Sequence, residues 1–409
     1  MWELIQSNKR KSLILFLVMG IILLFLGYFI GGALLGPNGG SELGLFFALL
    51  LWSILSIISY FAGSSVILSV SKAKEVTKEV HPQLFNVVEE MKIAAALPKM
   101  PKIFIINEEA PNAFATGRNP ENSAVTVTAG LLSKLNRDEL QGVIAHEISH
   151  IKNRDILYMT FAGVMLGSIV IISEVFLRGM WFGGGSLNRY KNRSSGGGSV
   201  QGVITIVALI LAILAPVLAR LLYFAISRKR EYLADASGVR LTRYPEGLAS
   251  ALEKLANNKL DLHAANKVTA GMYIVNPLKK KGMKLSDLTS THPPISERIR
   301  ILRNMSQGAG YSDYQNAYMK VKHKTERLIP NSVLDTDEKI GIRTPYKGEE
   351  VIDKKNYRRT LGDLVMNVNG YSFVNCACGL KLKIPPTYKK PEVKCPRCGR
   401  INKVSPGNN

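Results

Sequence analysis

A mainly α membrane protein, with about four transmembrane helices, an α+β soluble part and a small four-cysteine unit at its end, is predicted by three observations. Apolar runs long enough to cross a bilayer occur twice near the N-terminus, both uncharged, and twice mid-chain. Apolar residues make up 46% of the 409 residues while charged residues still reach 21%, which suits spans alternating with charged segments better than one uniform globule. All four cysteines fall between Cys376 and Cys398, which excludes a general disulfide framework. The length alone predicts two or three structural units.

The first span is the run LILFLVMGIILLFLGYFIGGALL, Leu13 to Leu35, long enough at 1.5 Å per residue for the hydrocarbon core. Lys9, Arg10 and Lys11 before it also suit a signal peptide, but the run is too long for that, and a second run from Leu43 to Val70 follows at once. The pair reads as a helical hairpin, residues 1–71. Its Gly27 and Gly31 form a GxxxG pattern that suits helix packing and carries no functional weight. A second hairpin, residues 156–226, comprises Ile156 to Leu177 and Gly202 to Ile226; Glu174 and Arg220 lie near its ends, and Pro216 predicts a kink.

Lysine and arginine placement gives the orientation. Lys9 to Lys11 precede the first hairpin, Lys72, Lys74 and Lys78 follow it, and its loop holds none, so both its ends are expected at the cytoplasmic face of the cell membrane. Arg178, Arg189, Lys191 and Arg193 in the second loop run against that rule. Either the stronger flanks prevail or this hairpin does not fully cross. The net charge of +22, from 53 Lys+Arg against 31 Asp+Glu, suits anionic headgroups and cytoplasmic retention better than nucleic acid.

Between the hairpins lies LQGVIAHEISHIKNRD, Leu140 to Asp155. Residues 136–154 read as an amphipathic helix with Asn136 and Glu139 as a capping box. On it His146 and His150 lie one turn apart on one face, the separation at which two imidazoles grip one ion, and Glu147 is within reach of a metal-bound water. A helix with a polar turn is the alternative. A catalytic zinc needs a third ligand, and SRKREYLADASG, Ser227 to Gly238, offers Glu231 as ligand and Asp235 as an acceptor for a ligand histidine. There the alternative is an ordinary solvated acidic pair.

The HExxH motif, the Glu-x-x-x-Asp stretch after a hydrophobic hairpin and two N-terminal spans together resemble the HtpX branch of the M48 membrane metalloproteases, relatives of the Ste24 CAAX proteases, over roughly residues 1–305. The resemblance implies a zincin-like α+β metalloprotease domain of gluzincin type at 72–305, interrupted by the second hairpin. It implies one catalytic Zn2+ on His146, His150 and Glu231, Glu147 as general base, and Asp235 orienting a ligand. STHPPISERI, Ser290 to Ile299, matches a family motif that implies His292 as stabiliser of the oxyanion and Arg298 as a supporting or substrate-contacting charge. APNAFATG and SAVTVT read as strands of a small sheet. The resemblance makes Asn112, Ala113, Phe114 and Ala115 an edge strand that pairs with substrate backbone; an ordinary edge strand is the alternative.

The activity so implied is that of an integral membrane zinc endopeptidase acting on unfolded or damaged membrane proteins at the cytoplasmic face. Its partners are then protein substrates and the bilayer, with nucleic acid not expected. A non-catalytic scaffold and a CAAX-type processing protease are the alternatives.

After SQGAGYSD the chain is charged and weakly periodic, and residues 306–369 read as a linker of no assignable role. Residues 370–409 read as a zinc ribbon, with Cys376, Cys378, Cys395 and Cys398 closing a structural site for a second Zn2+. The first pair is C-x-C, a departure from the commoner C-x-x-C. The basic residues around it read as a solvated surface.

Overall fold

The computed structural model describes residues 2–36, 39–182, 198–258, 260, 273–274, 293–323, 327–346 and 354–404. The chain is mostly helical. Four helical stretches, Leu13–Leu35, Gly40–Phe61, Ile156–Met180 and Val200–Leu221, are long and apolar enough to cross a membrane.

Helices α1 (Trp2–Leu35) and α2 (Gly40–Phe61) form the first hairpin. They approach through glycine: a Cβ on Gly44 would stand 2.2 Å from the Gly27 carbonyl oxygen, and one on Gly31 2.4 Å from that of Gly40. Such contact brings backbones together where lipid supplies no hydrophobic drive. The second apolar run, expected to be one span as far as Val70, breaks at Ala62 and resumes as the short α3 (Gly63–Val70). Its 28 residues exceed the roughly 20 that a bilayer needs.

A four-stranded sheet follows, made of β1 (Lys74–Glu75), β2 (Lys102–Ile106), β3 (Ala113–Asn119) and β4 (Asn122–Thr128) in the order β1-β2-β4-β3. β2 and β4 are parallel, and β3 pairs antiparallel to β4 as an edge. Alternation sends the two faces to different places. Ile103, Ile105, Ala113, Ala115, Val125 and Val127 enter the core of the soluble part, while Ile106 and Phe114 enter the cluster that holds Met19 and Met165 of the bundle. The sheet is the layer between the two.

Helix α4 (Pro82–Ala94) is capped by His81, whose Nδ1 accepts the Leu84 N–H at 3.1 Å. After α5 (Ala129–Lys134) comes α6 (Arg137–Lys152), opened by the expected capping box. Glu139 N–H donates to Asn136 Oδ1 at 2.8 Å, and Asn136 N–H donates to Glu139 Oε2 at 2.9 Å. Helix α7 (Ile156–Phe182) enters the bundle. Then α8 (Gly198–Thr242) runs 45 residues without a break, through Pro216, from the fourth span into the soluble core. Its Gly238 lets it lie against α6, since a Cβ there would stand 3.1 Å from the His146 amide nitrogen.

Helices α9 (Pro245–Ala256), α10 (Ile295–Arg303), α11 (Tyr311–Lys322), α12 (Asn331–Leu334) and α13 (Lys354–Val368) follow. Where the sequence reads as a linker beyond 305, Tyr311, Tyr314, Ala317, Tyr318, Ile329 and Val333 join the same buried cluster as Val143 and Ile144 of α6. Arg343 donates to Asp138 Oδ1 at 2.5 Å and to Gln141 Oε1 at 2.7 Å, tying the tail to the first turns of α6. The core of the soluble part thus continues past 305. At the end stand two hairpins, β5 (Ser372–Asn375) with β6 (Lys381–Ile384) and β7 (Glu392–Lys394) with β8 (Ile401–Lys403).

Candidate active site and metal centres

The capping box sets where α6 starts, and from that start His146 and His150 fall on the face turned to α8, with ring centroids 4.8 Å apart. Ten residues beyond its span α8 presents Glu231, and one turn later Asp235. The three ligand candidates His146, His150 and Glu231 are all buried, and one ligand atom from each lies within 4.8 Å of the others. His146 Nε2 is 3.6 Å from Glu231 Oε2, and His150 Nε2 is 3.5 Å from Glu231 Oε1.

Each imidazole is held from behind by a carboxylate. His146 Nδ1 lies 3.0 Å from Asp235 Oδ1, and His150 Nδ1 lies 3.3 Å from Asp155 Oδ2. A donated Nδ1–H fixes the tautomer that leaves a lone pair on Nε2. The two Nε2 atoms so prepared face one another at 3.3 Å, beside a buried carboxylate. Three electron-rich atoms converge on one point, an arrangement that a cation satisfies. Burial opposes a charged His146, yet its hydrogen bonds to Asp235 and Glu231 prevail and raise its pKa to about 9, so the pocket draws positive charge. Two imidazoles and one carboxylate are a donor set that zinc accepts in catalytic sites.

Asp235 is itself gripped. Arg298 Nε donates to Oδ2 at 2.8 Å and Nη2 to Oδ1 at 2.7 Å, a bidentate pair with both residues fully buried. Burial pushes the Asp235 carboxyl up, but the Arg298 charge together with the hydrogen bonds from His146 and Arg298 leaves the pKa below the ordinary value. Arg298 also donates to the Ile274 carbonyl at 3.2 Å. Of the two expectations for Arg298, this geometry fits the supporting charge. His292 lies outside the described residues.

Glu147 is buried, which pushes its carboxyl up against the pull of His146 and His150. The backbone of Ala115 in β3 hydrogen-bonds to it. Asn112, Ala113, Phe114 and Ala115 are all buried, so they offer main chain and no exposed side chain. The outward carbonyl of Ala113 accepts the Ile274 N–H at 2.9 Å, and Tyr273 stacks edge-on against Phe114 at 5.0 Å. At Ala113 the edge is therefore already paired, by this chain itself.

Asp155 was not expected to take part, although it closes the very stretch that carries the histidines. Its placement comes from the end of α6. Arg154 adopts φ +61° and donates its N–H to Ile151 O, and Asp155 N–H reaches back to His150 O at 3.0 Å. This is a Schellman turn with arginine where glycine is usual, and it returns the side chain after the turn to the residue five before it. Arg230 lies over the Tyr158 ring at 3.4 Å with its Nε 3.7 Å from Asp155 Oδ1. A carboxylate two residues past the C-cap of a ligand helix was the available signal.

In the terminal unit all four cysteine sulfurs cluster within 4.8 Å, with Cys376 and Cys398 Sγ 3.4 Å apart and Cys378 and Cys395 Sγ 3.7 Å apart. These separations are far beyond a disulfide bond. Each pair sits on a tight loop ended by a glycine of positive φ, Gly379 at +80° and Gly399 at +74°. Cys376 N–H donates to Leu380 O and Cys395 N–H to Arg400 O, so the C-x-C and C-x-x-C loops close alike. Four thiols converging on one point fit a closed structural zinc site.

The profile of peptidase family M48 matches residues 78–306. A protein named Protease HtpX homolog from Dictyoglomus turgidum is 47% identical over 306 residues, covering 75% of this chain and 95% of the relative. One of the same name from Streptococcus uberis is 42% identical over 305 residues, covering 75% of this chain and 100% of the relative. The crystal structure of S. mikatae Ste24p aligns at a TM-score of 0.38 and 21% identity, over 74% of this chain and 67% of that one.

Proposed function

This chain belongs to peptidase family M48 as an HtpX-like membrane metalloprotease, and from that premise we propose that it is a zinc endopeptidase hydrolysing peptide bonds of unfolded or damaged membrane proteins at the cytoplasmic face. The observation that carries the reading is the pair of imidazoles backed by Asp235 and Asp155, whose Nε2 atoms converge with Glu231.

His146, His150 and Glu231 would hold the catalytic zinc, and the four cysteines a second, structural one. Bound at the first site, zinc supplies a Lewis acid and lowers the pKa of water. Glu147 takes a proton from the attacking water and returns it to the leaving amine; burial raises its pKa above the ordinary carboxylate value, which makes it a better proton acceptor. Arg298 keeps Asp235 ionised, and Asp235 keeps His146 in the ligand tautomer. His292 stabilises the oxyanion on the strength of its motif. Substrate backbone adds to β3 at Asn112 to Ala115, which requires an extended segment and requires Ile274 to give way at Ala113.

The test is Glu147→Gln in detergent-purified protein, with cleavage of an unfolded protein and metal content measured on the same preparation. Two zincs in both proteins and a loss of activity of about 100-fold or more in the variant are expected. Full metallation of both with no cleavage by either would overturn the endopeptidase reading in favour of a scaffold.

A further inference from the structure

Away from the metal site, a cavity of about 480 Å³ opens between α1, α2 and α7. That is within the size range of sites that enclose whole small ligands. Its walls are apolar, with Leu15, Met19, Phe161 and Ala162 among them, yet Lys9, Arg118 and Arg154 also line it and no acidic residue does. Among the described residues none of these three cations is in an ion pair; Arg118 rests over the Tyr60 ring at 5.8 Å.

The cations share one border. Lys9 precedes the first span, Arg154 stands two residues before the third, and Arg118 lies on β3 in the layer between bundle and soluble core. From Leu13, where the span begins, to Met19 the groove follows α1 for six residues, about 9 Å at 1.5 Å per residue. This is less than half of the roughly 30 Å hydrocarbon thickness. The groove stays within one leaflet, too shallow for a spanning helix, and its charge is at the headgroup level.

We propose that this groove binds an anionic phospholipid of the leaflet beside the soluble domain, with an acyl chain along Leu13, Phe16 and Phe161 and its phosphate among Lys9, Arg118 and Arg154. The bound lipid backs onto the metal site. Arg154 is the turn residue that delivers Asp155 to His150, Tyr158 in the groove wall underlies Arg230, and Arg118 follows Ala115 by three residues on the strand that contacts Glu147. The site therefore gives the catalytic machinery a lipid on its membrane side.

The test offers the full-length protein, in neutral detergent at low salt, an equimolar mixture of phosphatidylglycerol and phosphatidylcholine, and counts retained lipid by native mass spectrometry. At roughly fivefold per cation, the wild type should prefer phosphatidylglycerol by at least tenfold. Substituting Gln for Lys9, Arg118 and Arg154 together should abolish the preference while phosphatidylcholine retention persists. Leu157→Trp, at a half-buried wall position, should reduce retention of both lipids. If the triple variant loses its metal, Lys9→Gln alone, at an exposed position, should lower the preference about fivefold. Equal retention of the two lipids by the wild type would sink the proposal. So would displacement of the lipid by inorganic phosphate, which would make the apolar walls irrelevant, or by a single-span peptide, which would make the groove a substrate channel.

Discussion

Asp155 and Arg298 meet the proposed metal site through different contacts, and their variants should part accordingly. Asp155 orients His150, so Asp155→Asn should lower zinc affinity about 10- to 100-fold with the fold retained, measured by competition against a chelator. An unchanged affinity would remove Asp155 from the site. Arg298 neutralises Asp235 inside the core, so Arg298→Met strands a buried anion and should cost about 3–5 kcal/mol, read as a lowered unfolding midpoint. Arg298→Lys keeps the charge without the fork and should fall between. That His146 and His150 share one face was legible at this scale from helical spacing; Glu231, on another helix, was singled out by the family resemblance. Asp155 was not, because its role depends on a turn that arginine adopts in place of glycine. Nor did sequence spacing reveal Ile274, which meets β3 through a backbone hydrogen bond.

At the scale of elements, the first hairpin is held by backbone contact, so Gly44→Leu should separate α1 from α2 and make the bundle sensitive to protease. Gly179→Leu on α7, where a Cβ would meet nothing within 4 Å, should not. Equal protease resistance of the two variants would dissociate the GxxxG pattern from packing. The start of α6 was readable from Asn136 and Glu139, because a capping box is a local device; Asn136→Ala should cost about 1 kcal/mol. Helix α11 was missed for the opposite reason. Its buried stripe is Tyr311, Tyr314, Ala317, Tyr318 and Val321, and tyrosine and alanine among lysines give a weak apolar pattern although their rings fill the core. The break at Ala62 was equally hidden, since an uncharged run does not mark where a helix stops.

Across the whole molecule, the family match ends at residue 306 while the buried cluster does not. Truncation after 305 should therefore expose the face of α8 and α10 that α11 covers and yield a protein that aggregates or loses its catalytic metal. Truncation after 369 keeps α11 and Arg343 in place and should hold one zinc, retaining cleavage. Similar behaviour of the two truncations would show the tail to be dispensable to the protease core.

The unbroken course of α8 joins the fourth apolar stretch directly to Glu231 of the proposed metal site. From the middle of its span near Ile210 to Glu231 is 21 residues, about 32 Å at 1.5 Å per residue along a helix that passes through Pro216. Helices meet a thicker or thinner bilayer by changing tilt. A rotation of about 5° at the span would carry Glu231 by roughly 3 Å, against a tolerance of about 0.2 Å in a metal–ligand distance. Packing against α6 must absorb that lever, and where it yields, the enzyme becomes a gauge of the membrane it sits in.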